Sequence, residues 1–128
     1  MTFAKRVFLI AGIYGVLVLT PMYFMEAKTG RDFPPAINHP EYYYGFIGLA
    51  LVFQILFLII SANPVRYRPV MVAAILEKIS FVIPVLILFS QGRVAYMMVV
   101  VAMPDLIFFV LFSISYFKTP AQYQAMAQ

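Results

Sequence analysis

The chain has 128 residues, of which 64% are hydrophobic and only 11% are charged, and its mean hydropathy is +0.93. Soluble domains carry roughly 25% charged residues, so this composition excludes an ordinary soluble globule and indicates an integral membrane protein. The net charge of +4 does not indicate nucleic-acid binding, because the basic residues are scattered between apolar runs and form no continuous patch. The absence of cysteine excludes disulfides, thiolate nucleophiles and thiolate metal sites.

Four apolar runs determine the predicted fold. Each is long enough to cross a hydrocarbon core of about 30 Å, which takes about 20 helical residues, and none alternates apolar and polar residues as a barrel strand does. We therefore predict an all-α fold, an integral membrane four-helix bundle with antiparallel up-down-up-down topology, in which residues 1–128 form a single transmembrane domain. The predicted helices span about 6–25, 42–62, 69–90 and 93–117, with a loop at 27–40.

The first apolar run follows two basic residues and so begins like a signal peptide. It lacks the small-residue cleavage pattern that would follow a short apolar stretch, and we predict a retained helix. Within it, Ala11 and Gly15 are spaced four residues apart, and Gly12 widens this smooth strip. Small residues at this spacing favour the close approach of a neighbouring helix.

Turn-forming residues predict the connections between the apolar runs. In segment 27–40, Gly30 and three prolines forbid a continuous helix. Tyr42, Tyr43 and Tyr44 open the second run, in the position of an interfacial aromatic belt. The sequence NPVRYRP predicts a short hairpin, after which Pro69 suits the first turn of the next helix. The tail that follows the fourth run is polar and has no evident fold.

The nine basic residues divide unequally between the two predicted ends of the bundle. The end that holds both termini has Lys5, Arg6, Arg66, Arg68 and Lys118, and the opposite end has Lys28, Arg31 and Arg93. The remaining one, Lys78, falls within a helix. By the positive-inside rule, this bias predicts a multi-pass protein of the plasma membrane with both termini in the cytoplasm.

The third run places Glu77 and Lys78 side by side in an apolar background. An acidic or basic residue near mid-bilayer costs about 2.5 to 3.5 kcal/mol, so such residues usually face the bundle interior. Lys78 can snorkel toward the headgroups, whereas the glutamate stem is too short, and we predict that Glu77 faces inward. Ser80, Phe81 and Pro84 follow on the same helical stripe, which we predict to be the interior face.

A set of polar side chains falls at a similar depth on the four predicted helices. The fourth run repeats the association of a proline with an acid, at Pro104 and Asp105. We predict a polar layer around a concave apolar pocket, the usual form of a small-ligand site. The predicted ligand-binding residues are Tyr14, Gln54, Glu77, Ser80 and Asp105.

A structural interpretation of the two acids stays open beside this one. One acid is then protonated or paired with Lys78 and only fixes the helix register. Adjacent residues on a helix diverge by about 100°, which makes a contact between Glu77 and Lys78 poor geometry, whereas Lys78 can reach Asp105 across helices. The uncharged polar side chains are also common interhelical hydrogen-bond partners. His39 and Glu41 have residue types that bind metals, but a single loop imidazole is usually solvated, so we expect no metal site.

In organisation, the whole chain resembles small bacterial four-helix membrane proteins of the DoxX-like kind. The shared features are a basic start, a long loop after the first helix and a short hairpin between the second and third. Glu77 and Asp105 are also similar to the membrane-embedded acids of EXPERA-type proteins. That second resemblance implies a pocket for sterol-like amphiphiles lined by these two acids.

Three functions are consistent with these patterns. The first is a non-enzymatic bundle that binds a lipophilic small molecule or lipid, with Glu77 and Asp105 as polar anchors. If four helices enclose too little volume, a homodimer is expected to complete this pocket. The second is an accessory structural subunit of a larger membrane complex. The third is a proton-coupled transporter or an isomerase that uses an intramembrane acid. The chain shows no nucleophile-and-base pair or phosphate loop, so an enzyme is least supported, and we expect no cofactor.

Overall fold

A computed structural model of the chain describes residues 2–127, which form helices and no strand. The helices are α1 (Phe3–Leu19), α2 (Glu26–Asp32), α3 (Pro40–Ala62), α4 (Met71–Ser90), α5 (Tyr96–Lys118) and α6 (Gln122–Ala127). Two 3-10 turns, Thr20–Phe24 and Arg68–Val70, extend α1 and lead into α4. The four long helices α1, α3, α4 and α5 are long and apolar enough to span a membrane. The predicted all-α four-helix membrane bundle is confirmed.

The short helices α2 and α6 correct the prediction for the segments outside the membrane. Segment 27–40 does not consist of loop alone, because the prolines that forbid a helix begin only at Pro34 and leave Glu26–Asp32 free to form two turns. Gly30 is buried where α2 meets the chain that follows it, and a Cβ at this position would lie 3.0 Å from the Cα of Ala36. The tail, predicted to lack structure, contains α6.

The four long helices form two antiparallel pairs, α1 with α3 and α4 with α5. The pairs meet mainly through α1 and α5, while α3 and α4 contact each other least among adjacent helices. Glycines permit the tight packing of α1 on α3. A Cβ on Gly15 would overlap Oε1 of Gln54, and one on Gly12 would lie 2.6 Å from Cδ2 of Leu58. The close helix approach predicted from the glycine strip is confirmed.

All four long helices contribute to the core at one end of the bundle, which we call the terminal end because α1 begins and α5 finishes there. Phe8, Phe57 and Phe112 are fully buried in it. The rings of Phe8 and Phe112 stack with centroids 4.2 Å apart, and Phe57 meets Phe112 edge-on at 4.9 Å. Smaller apolar residues surround the rings, namely Ala4, Val7, Ala11, Ile60, Met71 and Ala74.

The opposite end, which we call the loop end, has no core shared by the four helices among the described residues. Its buried cluster comes from α4 and α5 alone and consists of Val82, Val85 and Ala102. Leu19 on α1 and Ile47 on α3 are also buried at this end, and the segment that joins these two helices ties them further. The Tyr43 hydroxyl donates to the Met22 carbonyl at 2.7 Å, and the Tyr44 hydroxyl donates to Glu26 Oε2 at 2.9 Å. Two of the three predicted interfacial tyrosines therefore also hold the loop segment.

Candidate functional site

Lys78, rather than Glu77, is the charged residue of α4 that faces the bundle interior. It is only 5% exposed. The other buried residues of α4 are Met71, Ala74, Val82 and Val85. They lie four or seven residues from Lys78 and so share its face of the helix. The predicted interior face was wrong, since Ser80 and Pro84 are exposed and Glu77 lies at the edge of the buried stripe.

Lys78 pairs with acids on two helices. Its Nζ lies 3.3 Å from Oδ1 of Asp105 on α5, within hydrogen-bond distance, and 3.7 Å from Oε2 of the adjacent Glu77. We call these three residues the charged trio. The contact between Lys78 and Asp105 explains why the lysine does not snorkel, because a carboxylate on the next helix provides a partner inside the bundle. The long lysine stem also bends far enough to reach Glu77, a neighbour that helix geometry disfavours.

Two aromatic rings complete the surroundings of the Lys78 ammonium. Its Nζ lies 5.1 Å from the ring centroid of Phe57 on α3 and 5.5 Å from that of Phe108 on α5. Both distances are within the range of a cation–π interaction, about 6 Å. Phe57 belongs to the terminal-end core, and Lys78 lies about 10 Å along α4 from Met71 at 1.5 Å per residue. The charged trio therefore lies at membrane depth, where the shared core stops.

The charged trio contains two carboxylates and one ammonium, so it has more negative groups than positive ones. Oε2 of Glu77 is buried and has no hydrogen-bond partner among the described residues. The side chains of Glu77 and Asp105 are 19% and 28% exposed, whereas the side chain of Lys78 is nearly enclosed. A buried carboxylate oxygen without a donor is unfavourable in apolar surroundings. The charged trio can accept one further hydrogen-bond donor or cation.

Glu77 is directed toward the seam between α3 and α4. Phe81 follows Glu77 by four residues and therefore lies one turn further on the same face of α4. The ring centroid of Phe81 lies 6.3 Å from that of Phe46 on α3. Since α3 and α4 contact each other least among adjacent helices, the carboxylate oxygen that lacks a hydrogen-bond donor lies beside the loosest seam of the bundle.

Gln54 is buried as predicted, with 2% exposure, but it faces α1 rather than the charged trio. Its Nε2 donates to the carbonyl of Ala50 at 2.8 Å. Its Oε1 packs on Gly15. At this glycine, a Cα hydrogen occupies the direction that a side chain would take, and it points at the oxygen. This geometry provides a weak Cα–H···O interaction of the kind found between closely packed helices. In this structure Gln54 joins α1 to α3.

Tyr14 and Ser80 lie on the outer surface of the bundle. Tyr14 is 41% exposed, and its ring packs against Phe108 with centroids 5.7 Å apart. The Ser80 hydroxyl donates to the backbone carbonyl of Glu77 at 2.7 Å. The five predicted ligand-binding residues do not come together as one site. The structure brings together only two of the predicted residues, Glu77 and Asp105, and joins them through Lys78, which the predicted site omitted.

Two clefts open at the ends of the bundle, and neither is lined by the charged trio. One, of about 610 Å³, lies at the terminal end. The other, of about 360 Å³, is formed by residues 35–39, 42 and 43 at the loop end. Near this second cleft, Nδ1 of His39 lies 3.1 Å from Oε1 of Glu41 on the surface. The described residues contain no group of three His, Cys, Asp or Glu arranged for a metal ion.

Comparison of the chain with protein-family models, with curated proteins and with solved structures finds no match. The bundle and the charged trio are therefore the observations that bear on function. Together they define a multi-pass membrane protein with an ionic site inside its helices.

Proposed function

We propose that this chain is a non-enzymatic membrane protein that binds a lipophilic small molecule or lipid beside the charged trio, at the seam between α3 and α4. The observation that carries the proposal is Oε2 of Glu77, which is buried without a hydrogen-bond donor in a site with more carboxylates than cations. A hydroxyl or ammonium group of a ligand would donate to this oxygen. Glu77 and Asp105 are the polar anchors, and Lys78 fixes their positions.

The energetics of the charged trio favour a binding role over a purely structural one. Replacing a buried ion pair by well-packed apolar residues is often neutral or stabilising, so stability alone gives little reason to keep three charges inside a bundle. Ionisable residues within membrane spans are functional candidates by default. A ligand that completes the hydrogen bonding of Glu77 supplies such a function.

The surroundings of Glu77 also favour a particular kind of ligand. Aromatic rings occur on both sides of the charged trio, with Phe57 toward the terminal end and the Phe46 and Phe81 pair toward the loop end. The flat apolar body of a ligand would pack against such rings, and a small donor group on the same ligand would bind the Glu77 carboxylate. This is the chemistry of a sterol-like amphiphile, in agreement with the EXPERA-type resemblance.

Native mass spectrometry of the protein released from mild detergent tests this proposal. We expect a stoichiometric small-molecule adduct on the wild type that is lost in Glu77→Gln, because the amide provides a weaker acceptor and no charge. Glu41→Gln is the matched control, since it makes the same chemical change at an exposed carboxylate, and it should retain the adduct. Bare wild-type protein, or an adduct that survives in Glu77→Gln, would refute the proposal.

A second candidate function is an accessory subunit of a larger membrane complex or a homodimer. The observation that favours it is Tyr14, a residue with a polar group that is 41% exposed at membrane depth on the outer surface. A polar group that faces lipid is unfavourable, and a second polypeptide packed on α1 and α5 would cover it. In the same mass spectra, this function predicts a mass increase set by a polypeptide, which Tyr14→Phe would weaken and Glu77→Gln would leave unchanged.

We further propose that the bundle resides in the plasma membrane with both termini in the cytoplasm, as the distribution of basic residues favours. The absence of natural cysteine makes a labelling test clean. A membrane-impermeant maleimide should modify Asn38→Cys, in the loop-end connection, in intact cells. It should modify Gln124→Cys, near the end of the chain, only after lysis. The opposite pattern would show the inverted orientation.

A further inference from the structure

The terminal end of the bundle carries basic side chains and no acidic ones. Its basic residues are Lys5, Arg6, Arg66, Arg68 and Lys118. The five acidic residues of the chain lie elsewhere: Glu26, Asp32 and Glu41 at the loop end, and Glu77 and Asp105 inside the bundle. No carboxylate side chain therefore cancels the positive potential at the terminal end, which attracts anions.

A cleft of about 610 Å³ opens at this positive end. Its walls are residues 2–5 at the start of α1, residues 62–65 after α3, and residues 118–120 at the end of α5. Because three membrane-spanning helices begin or finish here, the cleft lies at the level of the lipid headgroups. It is separate from the charged trio, which lies deeper in the bundle.

The cleft walls include two cations, Lys5 and Lys118. Neither takes part in an ion pair among the described residues, and Nζ of Lys118 lies 4.6 Å from the ring centroid of Phe3, which also lines the cleft. Arg68, at the same end, is already engaged. Its Nε donates to the Tyr116 carbonyl at 3.2 Å and its guanidinium covers the Tyr116 ring. Lys5 and Lys118 are thus the cations positioned to bind an anion in the cleft.

We propose that this cleft binds the phosphate group of an anionic phospholipid, held by charge-assisted hydrogen bonds from Lys5 and Lys118. The side-chain amide of Asn63, in the same wall, supplies a neutral donor. The apolar part of the wall, which includes Phe3 and Ala62, favours a lipid over a free phosphate ion, since an acyl chain can continue along it into the bilayer. The occupant is a lipid of the leaflet at the terminal end.

Native mass spectrometry of the full-length protein, titrated in detergent with phosphatidylglycerol or with zwitterionic phosphatidylcholine, tests the assignment. We expect preferential retention of phosphatidylglycerol, and about fivefold weaker affinity for each of Lys5→Gln and Lys118→Gln, the effect expected for one basic residue near an anionic lipid surface. Arg6→Gln is the matched control. It removes the same charge one residue from Lys5 but outside the cleft, and it should change the affinity less than about twofold.

Three results would overturn the proposal. Equal retention of the two lipids would exclude recognition of an anionic headgroup, and an equal loss of affinity in Arg6→Gln would replace the cleft by a general charge effect. Displacement of phosphatidylglycerol by inorganic phosphate at about 10 mM, with phosphate itself bound, would assign the cleft to a soluble anion.

Two further variants serve as controls. Lys118→Gln, at the end of α5, keeps the test valid even if Lys5→Gln disturbs the folding of α1. Glu77→Gln should leave phosphatidylglycerol binding intact, which separates this site from the charged trio.

Discussion

The two ends of the bundle are held together in different ways. At the terminal end, three buried phenylalanine rings from α1, α3 and α5 contact one another directly. At the loop end, α4 and α5 share their own apolar cluster, and the ring contact of Phe46 with Phe81 links α3 to α4. Lipid tails are as apolar as these side chains, so helix association relies on close packing rather than on escape from water. The terminal end has the better packing for this purpose.

The charged trio lies at the boundary between these two regions, so the proposed binding site would adjoin the well-packed end of the bundle. Phe57 of the terminal-end core contacts Lys78 from one side, so the ions lie against the better-packed part of the molecule. On the other side, the seam between α3 and α4 has few contacts and can adapt its width. This arrangement would suit the proposed lipophilic ligand, because its polar group would meet well-packed side chains while its apolar body entered the seam.

The largest loss of stability should come from replacing Lys78, the cation at the boundary between the two regions. Lys78→Met should lower the free energy of unfolding by about 3 to 5 kcal/mol, because it leaves two carboxylates in the bundle without their cation. Unfolding in mixed micelles with increasing sodium dodecyl sulfate measures this change. Adding Glu77→Gln and Asp105→Asn to Lys78→Met should recover most of the loss, since no unpaired charge then remains. Failure of this recovery would assign the loss to packing instead of charge.

A matched pair of phenylalanine truncations compares the two ends directly. Phe8→Ala should cost about 3 kcal/mol, because it opens a cavity in the fully buried terminal-end core. Phe81→Ala makes the same chemical change at the partly exposed loop-end contact, and we expect less than about 1 kcal/mol there, since neighbouring side chains and lipid can fill the space. The same unfolding assay provides both values. Equal losses would contradict the difference in packing between the ends.

The contact of α1 with α3 predicts a smaller effect that a second substitution should reverse. Gly15→Ala should cost about 1 to 3 kcal/mol, because the added methyl overlaps Oε1 of Gln54 and forces a local shift. Gln54→Ala in the same chain removes the obstacle and should restore most of the stability. Measurement of both single variants and the double variant yields the coupling free energy. A coupling near zero would mean that the two side chains do not meet in the membrane.

The smallest effect concerns the hydrogen bond that holds the loop segment. Tyr43→Phe removes the donor to the Met22 carbonyl and should cost about 1 kcal/mol. The change should be local, with faster amide hydrogen exchange in α2 and unchanged exchange in α4 and α5. Tyr42→Phe is a suitable control, because the Tyr42 side chain is largely exposed. Faster exchange throughout the bundle would show that the loop segment supports the whole fold.

The sequence was sufficient to predict the four long helices and the close contact that small residues of α1 permit. Helix length, apolar content and turn-forming residues are local properties, and the strip of Gly12 and Gly15 marks a close helix contact wherever it occurs. The short helix α2 was missed because its seven residues are mostly polar and provide no apolar periodicity. Its formation depends on the contact of Gly30 with Ala36 and on the tyrosines at the start of α3, and both contacts are tertiary.

The orientation of α4 could not be predicted for a physical reason. A membrane helix is apolar on the side that faces lipid and on the side that faces the core, so the usual contrast between faces is missing. The choice between Glu77 and Lys78 then depended on which charge can escape to the interface. The sequence allowed a contact of Lys78 with Asp105, which the structure contains. It did not reveal that two aromatic rings also lie beside the Lys78 ammonium. The position of Tyr14 was mistaken for the same reason, because depth along a helix does not specify its face.

The packing of Gln54 on Gly15 has a consequence for the synthesis of the protein. Helix α1 enters the bilayer before α3, since chains are made from the amino terminus. The Gln54 amide therefore arrives in a membrane that already contains its glycine surface. Because Gly15 is already in the bilayer, the Gln54 side chain can pack on it soon after α3 enters and is exposed to lipid only briefly. By contrast, only residues 91–95 separate α4 from α5, which allows Lys78 and Asp105 to enter together as an ion pair within one helical hairpin.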